Sequence, residues 1–211
     1  MNTDTVVGIL GAGKLGVTIA QLALAAGYTV YIAGSGDPVD IELSTKIITP
    51  GAVAVTAESA VKRADIVMLA LPLGRFGDLG SELFHGKLVI DGMNHWREVD
   101  GPLEAIIADG TTTSEAVQRH LVGAHVIKAL NHMGYHHLRD EAKPAGASGR
   151  KAIAVAGDDE PSVQRVNQFV NRLGFDPLYI GGLRDSHVLE SGQPAFGANV
   201  PLIQLQKLIK K

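Results

Sequence analysis

Val6-Val7-Gly8-Ile9-Leu10-Gly11-Ala12-Gly13-Lys14-Leu15-Gly16 is the stretch that decides the fold of this chain. Its first five residues are an uninterrupted apolar run, the pattern of a strand buried on both faces. The next six follow Gly-x-Gly-x-x-Gly. Beyond them Leu15, Ile19, Leu22 and Ala26 recur at spacings of four, three and four, which is one helix face, and Gly27 supplies its stop. With 25 glycines in 211 residues the motif alone is weak. Its setting, between a buried strand and an amphipathic helix, is what the motif requires. Gly11 permits the tight turn, Gly13 lets the backbone approach a pyrophosphate, and Gly16 lets the helix pack on the strand. The helix start offers unpaired N–H groups and a positive dipole end to phosphates.

Outward from this unit, apolar runs and helical patterns alternate. Residues 29–33 form a second strand, ended by the loop Gly34-Ser35-Gly36-Asp37-Pro38. Residues 53–56 form a short third strand, followed by a helical stretch through Arg63. Further runs cover 66–71 (halted by Pro72), 88–91 and 126–130. Strands without alternation, separated by helices, predict an α/β fold with a Rossmann-type, doubly wound, mainly parallel sheet. Residues 131–149 are rich in Gly, His and Pro without a sustained period and read as an ordered loop or joint. A strand at 151–156, a helix at 161–173, a strand at 176–180 and a last helix from about Asn199, with Leu202, Leu205 and Ile209 on one stripe, complete the chain. The expected division is a dinucleotide-binding domain, 1–130, and a small C-terminal α/β lobe, 131–211, packed against it.

Composition excludes several classes. The formal charge of −3 shows no basic surface for nucleic acid, and Lys207, Lys210 and Lys211 read as a solvated helix end. The absence of cysteine removes disulfides, cysteine-type zinc sites and thiol catalysis. The start of the chain lacks a basic n-region, and no apolar stretch reaches the ~20 residues of a membrane span, so a cytoplasmic protein is expected.

The choice between NADP and NAD turns on residues 34–37. NAD enzymes carry an acidic residue at the end of the second strand for the ribose 2′-hydroxyl. Aligned on the apolar run, that place is Gly34, leaving room for a 2′-phosphate on Ser35 and the loop N–H groups. Counting ~20 residues from the glycine loop reaches Gly36 instead, beside Asp37, which would favour NAD if it turned inward.

Several segments carry a resemblance. They are residues 8–16, Ala33-Gly34-Ser35, Ala64-Asp65-Ile66-Val67 through Pro72, Val89-Ile90-Asp91-Gly92-Met93-Asn94, residues 126–131, Ala156-Gly157-Asp158-Asp159, residues 173–177 and residues 189–194. In order and spacing the chain resembles, nearly end to end, the F420-dependent NADP oxidoreductases and their bacterial dinucleotide-binding relatives. It is similar, more distantly, to the reductase domain of the STEAP metalloreductases. The resemblance implies hydride transfer between NADPH and a flat flavin-like or F420-type acceptor. It places Gly11, Ala12, Gly13, Lys14 and Leu15 on the pyrophosphate and Ser35, between Gly34 and Gly36, on the 2′-phosphate. Ala70, Leu71 and Pro72 would flank the middle of the cofactor, with Asn94 and Ala129 near the ribose and nicotinamide. Three positions depart from the family pattern: Gly36 replaces an arginine, His95 a proline after Asn94, and Leu130-Asn131-His132 the usual Phe-Asn-Thr.

Transfer between two redox rings needs orientation and exclusion of water, so no catalytic residue is named. Asn131, His132, Met133 and Pro194 are the expected contacts to the second substrate, with residues 192–197 closing the cleft. Were the substrate a small carbonyl or imine, a proton donor would be needed, and His132, His136 and His137 are the candidates. A non-catalytic nucleotide sensor is the remaining alternative. No metal site is expected, because Met133-Gly134 opposes the helix that His132 and His136 would require. Asp158-Asp159-Glu160, just before Pro161, reads as a helix cap. Asp91 is either structural or part of the cleft. The apolar residues on more than one side of the last helix make a homodimer an expectation.

Overall fold

The computed structural model describes residues 5–107 and 110–210; Lys211 lies outside them. Strand β1 (Val6–Leu10) feeds the glycine loop and α1 (Lys14–Ala25). Then come β2 (Thr29–Ala33), α2 (Pro38–Ile48), β3 (Val53–Ala54) and α3 (Ala57–Arg63). β4 (Ile66–Leu69) runs into a 3₁₀ turn at Leu73–Asp78, and β5 (Leu88–Asp91) into the short α4 (Arg97–Asp100). The remainder is α5 (Thr113–His120), β6 (His125–Ala129), α6 (Tyr135–Glu141), β7 (Ala152–Ala156), α7 (Glu160–Leu173), β8 (Asp176–Tyr179) and α8 (Leu202–Ile209).

These eight strands make one sheet in the order β3-β2-β1-β4-β5-β6-β7-β8. The first six are parallel and doubly wound, as the sequence predicts, and the order reverses between β1 and β4. β7 pairs antiparallel with β6, and β8 parallel with β7, so residues 131–211 contribute to the same sheet.

Both faces of the central strands are buried, which is why those strands read as continuous apolar runs. Val7 and Ile9 pack under α1 and α7 with Ile19 and Phe169, while Leu10 and Val67 pack under α3 and α5 with Val61 and Val117. Complete burial of such side chains is worth about 1.5–3 kcal/mol each. A smaller cluster joins Leu205 of α8 to Ala152 and Ala154 of β7, leaving Ile203 exposed. Among the described residues no helix is long and apolar enough to cross a membrane.

Three local differences have physical causes. α6 lies in the stretch read as a loop, and it buries only Leu138 of its seven residues, so no apolar period marks it. The fully buried face of α1 is Gly16, Ile19, Ala20 and Ala23, whose small residues let it approach the sheet; Leu15, Leu22 and Ala26 flank that contact. The last helix starts at Leu202, because Pro201 occupies its N-cap.

Candidate active site

The site lies along the C-terminal ends of β1, β2, β4, β5 and β6. Gly11 has φ +114°, and a Cβ there would lie 2.2 Å from the Ala70 carbonyl oxygen, so the loop rests directly on the end of β4. A Cβ on Gly16 would lie 1.8 Å from the Gly11 carbonyl oxygen, which fixes the helix against the loop. Gly13 differs: a Cβ there meets nothing within 4 Å. It is the N-cap of α1, with no side-chain cap and no acidic residue in the first turn. By contrast Asp37, Thr56, Thr112 and Asp159 cap α2, α3, α5 and α7. The positive end of α1 is therefore left open to an anion beside an uncrowded backbone, and a pyrophosphate fits it.

On one side of this loop is a cavity of about 600 Å³ lined by Gly11, Ala12, Gly34, Ser35, Ile41 and Arg75, among others. Asp37 points its carboxylate into the α2 backbone, accepting from Val39 N at 2.9 Å, and so is engaged away from any ribose. Gly36 is not part of the cavity wall; a Cβ there would lie 2.9 Å from Asp40 Oδ2. One arginine, Arg75 from the turn after β4, is among the residues that line this cavity. Arg75 Nε pairs with Asp78 Oδ2 at 2.5 Å, and no bond to Nη1 or Nη2 is found among the described residues. Its terminal fork is free for a phosphate.

On the other side is a second cavity, of about 540 Å³. Leu15, Leu71, Pro72, Leu130, Asn131 and Met133 line it, together with His132, Tyr135, Phe196 and Trp96. Gly13, Ala70, Leu71 and Pro72 line both cavities, which makes them one continuous cleft. Trp96 and Phe196 meet edge to face across it, with ring centroids 5.9 Å apart, from two loops distant in sequence.

Asn94 lines the second cavity, held by Asn131. Beneath it Lys128 and Asp91, both fully buried, form an ion pair at 3.2 Å. Lys128 Nζ also donates to the Met93 carbonyl at 2.7 Å, and Asp91 accepts from Ser114 Oγ and Met93 N. Asp91 is thus structural, and the pair fixes the loop that carries Asn94. Leu130 has φ +66°, an uncommon conformation for a residue with a side chain, at the point where the chain leaves β6 for the cleft.

His132 is not an exposed proton donor. Its Nε2 accepts from Ala154 N of β7 at 3.0 Å, so the proton is on Nδ1, and burial depresses its pKa to about 4. The ring is neutral at neutral pH and ties the cleft loop to the sheet. His132 Nδ1 and Asn131 Oδ1 are buried without a protein partner, a polar deficit next to the cleft. His136 lines the cavity, and its ring lies against that of His137, centroids 4.1 Å apart and tilted by 53°.

Several expected contacts lie outside the cavity walls, Gly36 among them. Ala129 is buried within β6, opposite Val155, and the strand's end moves the cleft-lining role to Leu130. Pro194 is exposed and outside the cavity wall; from its segment Phe196 and Gly197 supply the contact. Lys14 is also outside the wall, its ammonium 5.5 Å from the centroid of the Tyr135 ring. Asp159 caps α7 through Ser162 N, and that hydrogen-bonding serine holds its carboxyl below the usual range. Trp96, Tyr135 and Arg75 were not legible as site residues. The chain's single tryptophan, just past a strand end, was the available signal.

Residues 6–95 match the model of the family described as NADP oxidoreductase coenzyme F420-dependent, the same family the sequence resembles. The structure is similar to that of protein SMa0349 from Sinorhizobium meliloti, with TM-score 0.81 and 26% identity over 94% of this chain and 96% of that one. It is also similar to a protein of Arthrobacter sp. FB24 carrying the provisional description of an F420-dependent NADP-reductase. That similarity has TM-score 0.70 and 22% identity over 88% of this chain and 90% of the other, and it speaks for the fold. Metalloreductase STEAP3 of Rattus norvegicus is 25% identical over 189 residues, covering 88% of this chain and 36% of its own. The matched segments span little more than a third of the length of the curated relatives. Fold and glycine loop together define a dinucleotide-binding Rossmann domain, and over residues 6–95 it is similar to the NADP oxidoreductases of that family.

Proposed function

We propose that the chain is an NADPH-dependent oxidoreductase passing a hydride to a flavin-like or deazaflavin ring. The observation that carries this reading is the continuity of the two cavities through Gly13, Ala70, Leu71 and Pro72, an extended cleft with an anion site at its middle. When bound, NADPH supplies the hydride. The rest is the work of this chain. The open end of α1 and Gly13 hold the pyrophosphate, and Ser35 with the Arg75 fork holds the 2′-phosphate. Asn94 and Leu130 orient the reacting end, while Leu71, Met133, Trp96 and Phe196 exclude water from it. A neutral, tied-down His132 agrees with a transfer that requires no imidazolium donor.

The test is stopped-flow loss of reduced-nicotinamide absorbance on mixing the protein and NADPH with a flavin and deazaflavin panel. Oxidation that depends on the ring supports the proposal; none with any ring removes it. We also propose a homodimer, supported by exposed Ile203 on α8; a monomeric mass by light scattering at micromolar concentration would exclude it.

A further inference from the structure

Helix α2 is apolar on two opposite sides. Its inner side carries Thr45, the one buried residue of the helix, and Ile41, which lines the first cavity. Its outer side carries Val39, Leu43 and Ile47, four residues apart and so in one row along the helix, at 71%, 71% and 70% exposure. None of these three lines either cavity. By comparison α8 exposes one large apolar side chain, Ile203. The row on α2 leaves on the order of 350 Å² of apolar surface open, a size at which such patches are often functional. Doubled across a twofold axis, at the roughly 65% apolar content of homodimer interfaces, it accounts for about 1,100 Å² of buried surface. That clears the roughly 1,000 Å² expected of a specific interface.

The charges beside the row suit a second copy of the same helix. Glu42 and Lys46 lie on one flank of it, ion-paired within the helix at 2.5 Å. In antiparallel pairing about a twofold axis at Leu43, each flank faces its own copy, so Lys46 of one chain meets Glu42 of the other. On the opposite flank Ser44 stands between the two Asp40 carboxylates. A lipid surface suits the helix less: Asp37, Asp40 and Glu42 outnumber Lys46, whereas helices that lie on anionic membranes carry Lys and Arg on their polar side. We propose that two copies of this chain pair through Val39, Leu43 and Ile47 of α2, antiparallel about a twofold axis at Leu43. This rests on the homodimer reading above and gives it a surface, α2 and not α8. The pairing leaves the cleft walls free, because the paired row and Ile41 are on opposite sides of the helix.

The test is the mass by light scattering at micromolar concentration of the unaltered protein and of surface variants, with circular dichroism as the check of folding. The unaltered protein is expected to be a dimer, and so is Ile203→Glu. Leu43→Glu and Ile47→Glu, each putting a charge into the paired row, are expected to raise the dimer Kd about tenfold or more and shift the mass towards that of a single chain. Glu42→Lys and Lys46→Glu are each expected to weaken the dimer, and mixed one to one to recover it, since the facing flanks then carry opposite charge. Pairing within one helix cannot produce that recovery. A dimer that survives Leu43→Glu and Ile47→Glu, or a mixture that recovers nothing, overturns the α2 pairing and leaves the homodimer reading standing. A single-chain mass for the unaltered protein overturns both.

Discussion

Asn94 and Asn131 hold each other across the ends of β5 and β6. Asn94 Nδ2 donates to the Asn131 carbonyl at 2.8 Å, and Asn131 Nδ2 donates to Asn94 Oδ1 at 3.1 Å and to the Leu189 carbonyl at 2.9 Å. Three loops from separate parts of the chain are fixed by these two amides. Asn131→Ala removes two of the three bonds and leaves buried acceptors unpaired, at a cost of about 1–3 kcal/mol. Chemical denaturation is expected to show that loss together with weaker dinucleotide binding. Unchanged binding would mean that the pair has no positioning role.

Gly13 and Gly16 are expected to respond oppositely to alanine. Nothing in the protein crowds a Cβ at 13, so Gly13→Ala should fold and lose at most about 1 kcal/mol, while NADP⁺ affinity by calorimetry drops tenfold or more. Gly16→Ala would drive its Cβ into the Gly11 carbonyl, and its expected outcome is a loss of soluble, cooperatively folding protein.

Arg75 is expected to set the preference for NADP⁺ over NAD⁺. A charge-assisted phosphate contact is worth about 1.5–3 kcal/mol, or roughly 10- to 150-fold in affinity. Arg75→Ala should weaken NADP⁺ by that factor and leave NAD⁺ within about threefold. Asp78→Asn, which frees the guanidinium from its partner, should strengthen NADP⁺ alone. Equal losses for the two dinucleotides in Arg75→Ala would place the arginine on the adenosine rather than on its phosphate.

Lys128→Met leaves the Asp91 carboxylate buried without its cation and is expected to cost about 3–5 kcal/mol in urea denaturation. Adding Asp91→Asn should recover part of that loss.

The pH dependence of stability follows from His132. Its pKa, about 4 when folded, lies below the 6.5 of an unhindered imidazole because burial disfavours the charged ring. Between those values the unfolded chain binds the proton and the folded one does not, so the His132 contribution is complete above 6.5. It is lost progressively as pH falls from 6.5 towards 4, by at most about 3 kcal/mol. Denaturation midpoints over that window should fall for the unaltered protein and fall less for His132→Gln, whose side-chain oxygen can still accept from Ala154 N.

What was legible in the sequence was whatever repeats locally. The buried runs of β1, β4 and β5 and the glycine loop can be read because both faces of a central strand must be apolar and a phosphate turn needs its glycines. α6 escapes because one buried leucine in seven residues makes no period. The exchange of Ala129 for Leu130 is a slip of one residue at a strand end, which apolarity cannot resolve because both are apolar and buried. The Trp96–Phe196 contact and the presence of Arg75 in one cavity lining with Ser35 depend on how loops far apart in the chain converge. No local pattern encodes that.

The antiparallel turn from β6 into β7 divides the protein's tolerance for change. Because β7 runs backwards, its start stands at the cleft, where Ala154 N meets His132, and its end leads to the opposite edge, where Gly157 N bonds the Gly181 carbonyl. Lengthening the connections at 157–159 or 181–182 would therefore enlarge the molecule without touching the chemistry. Lengthening 142–151 would lead into the β7 start that holds the floor of the site. Insertions that add modules to such a scaffold have a silent end and a costly one, and this reversed strand determines which is which.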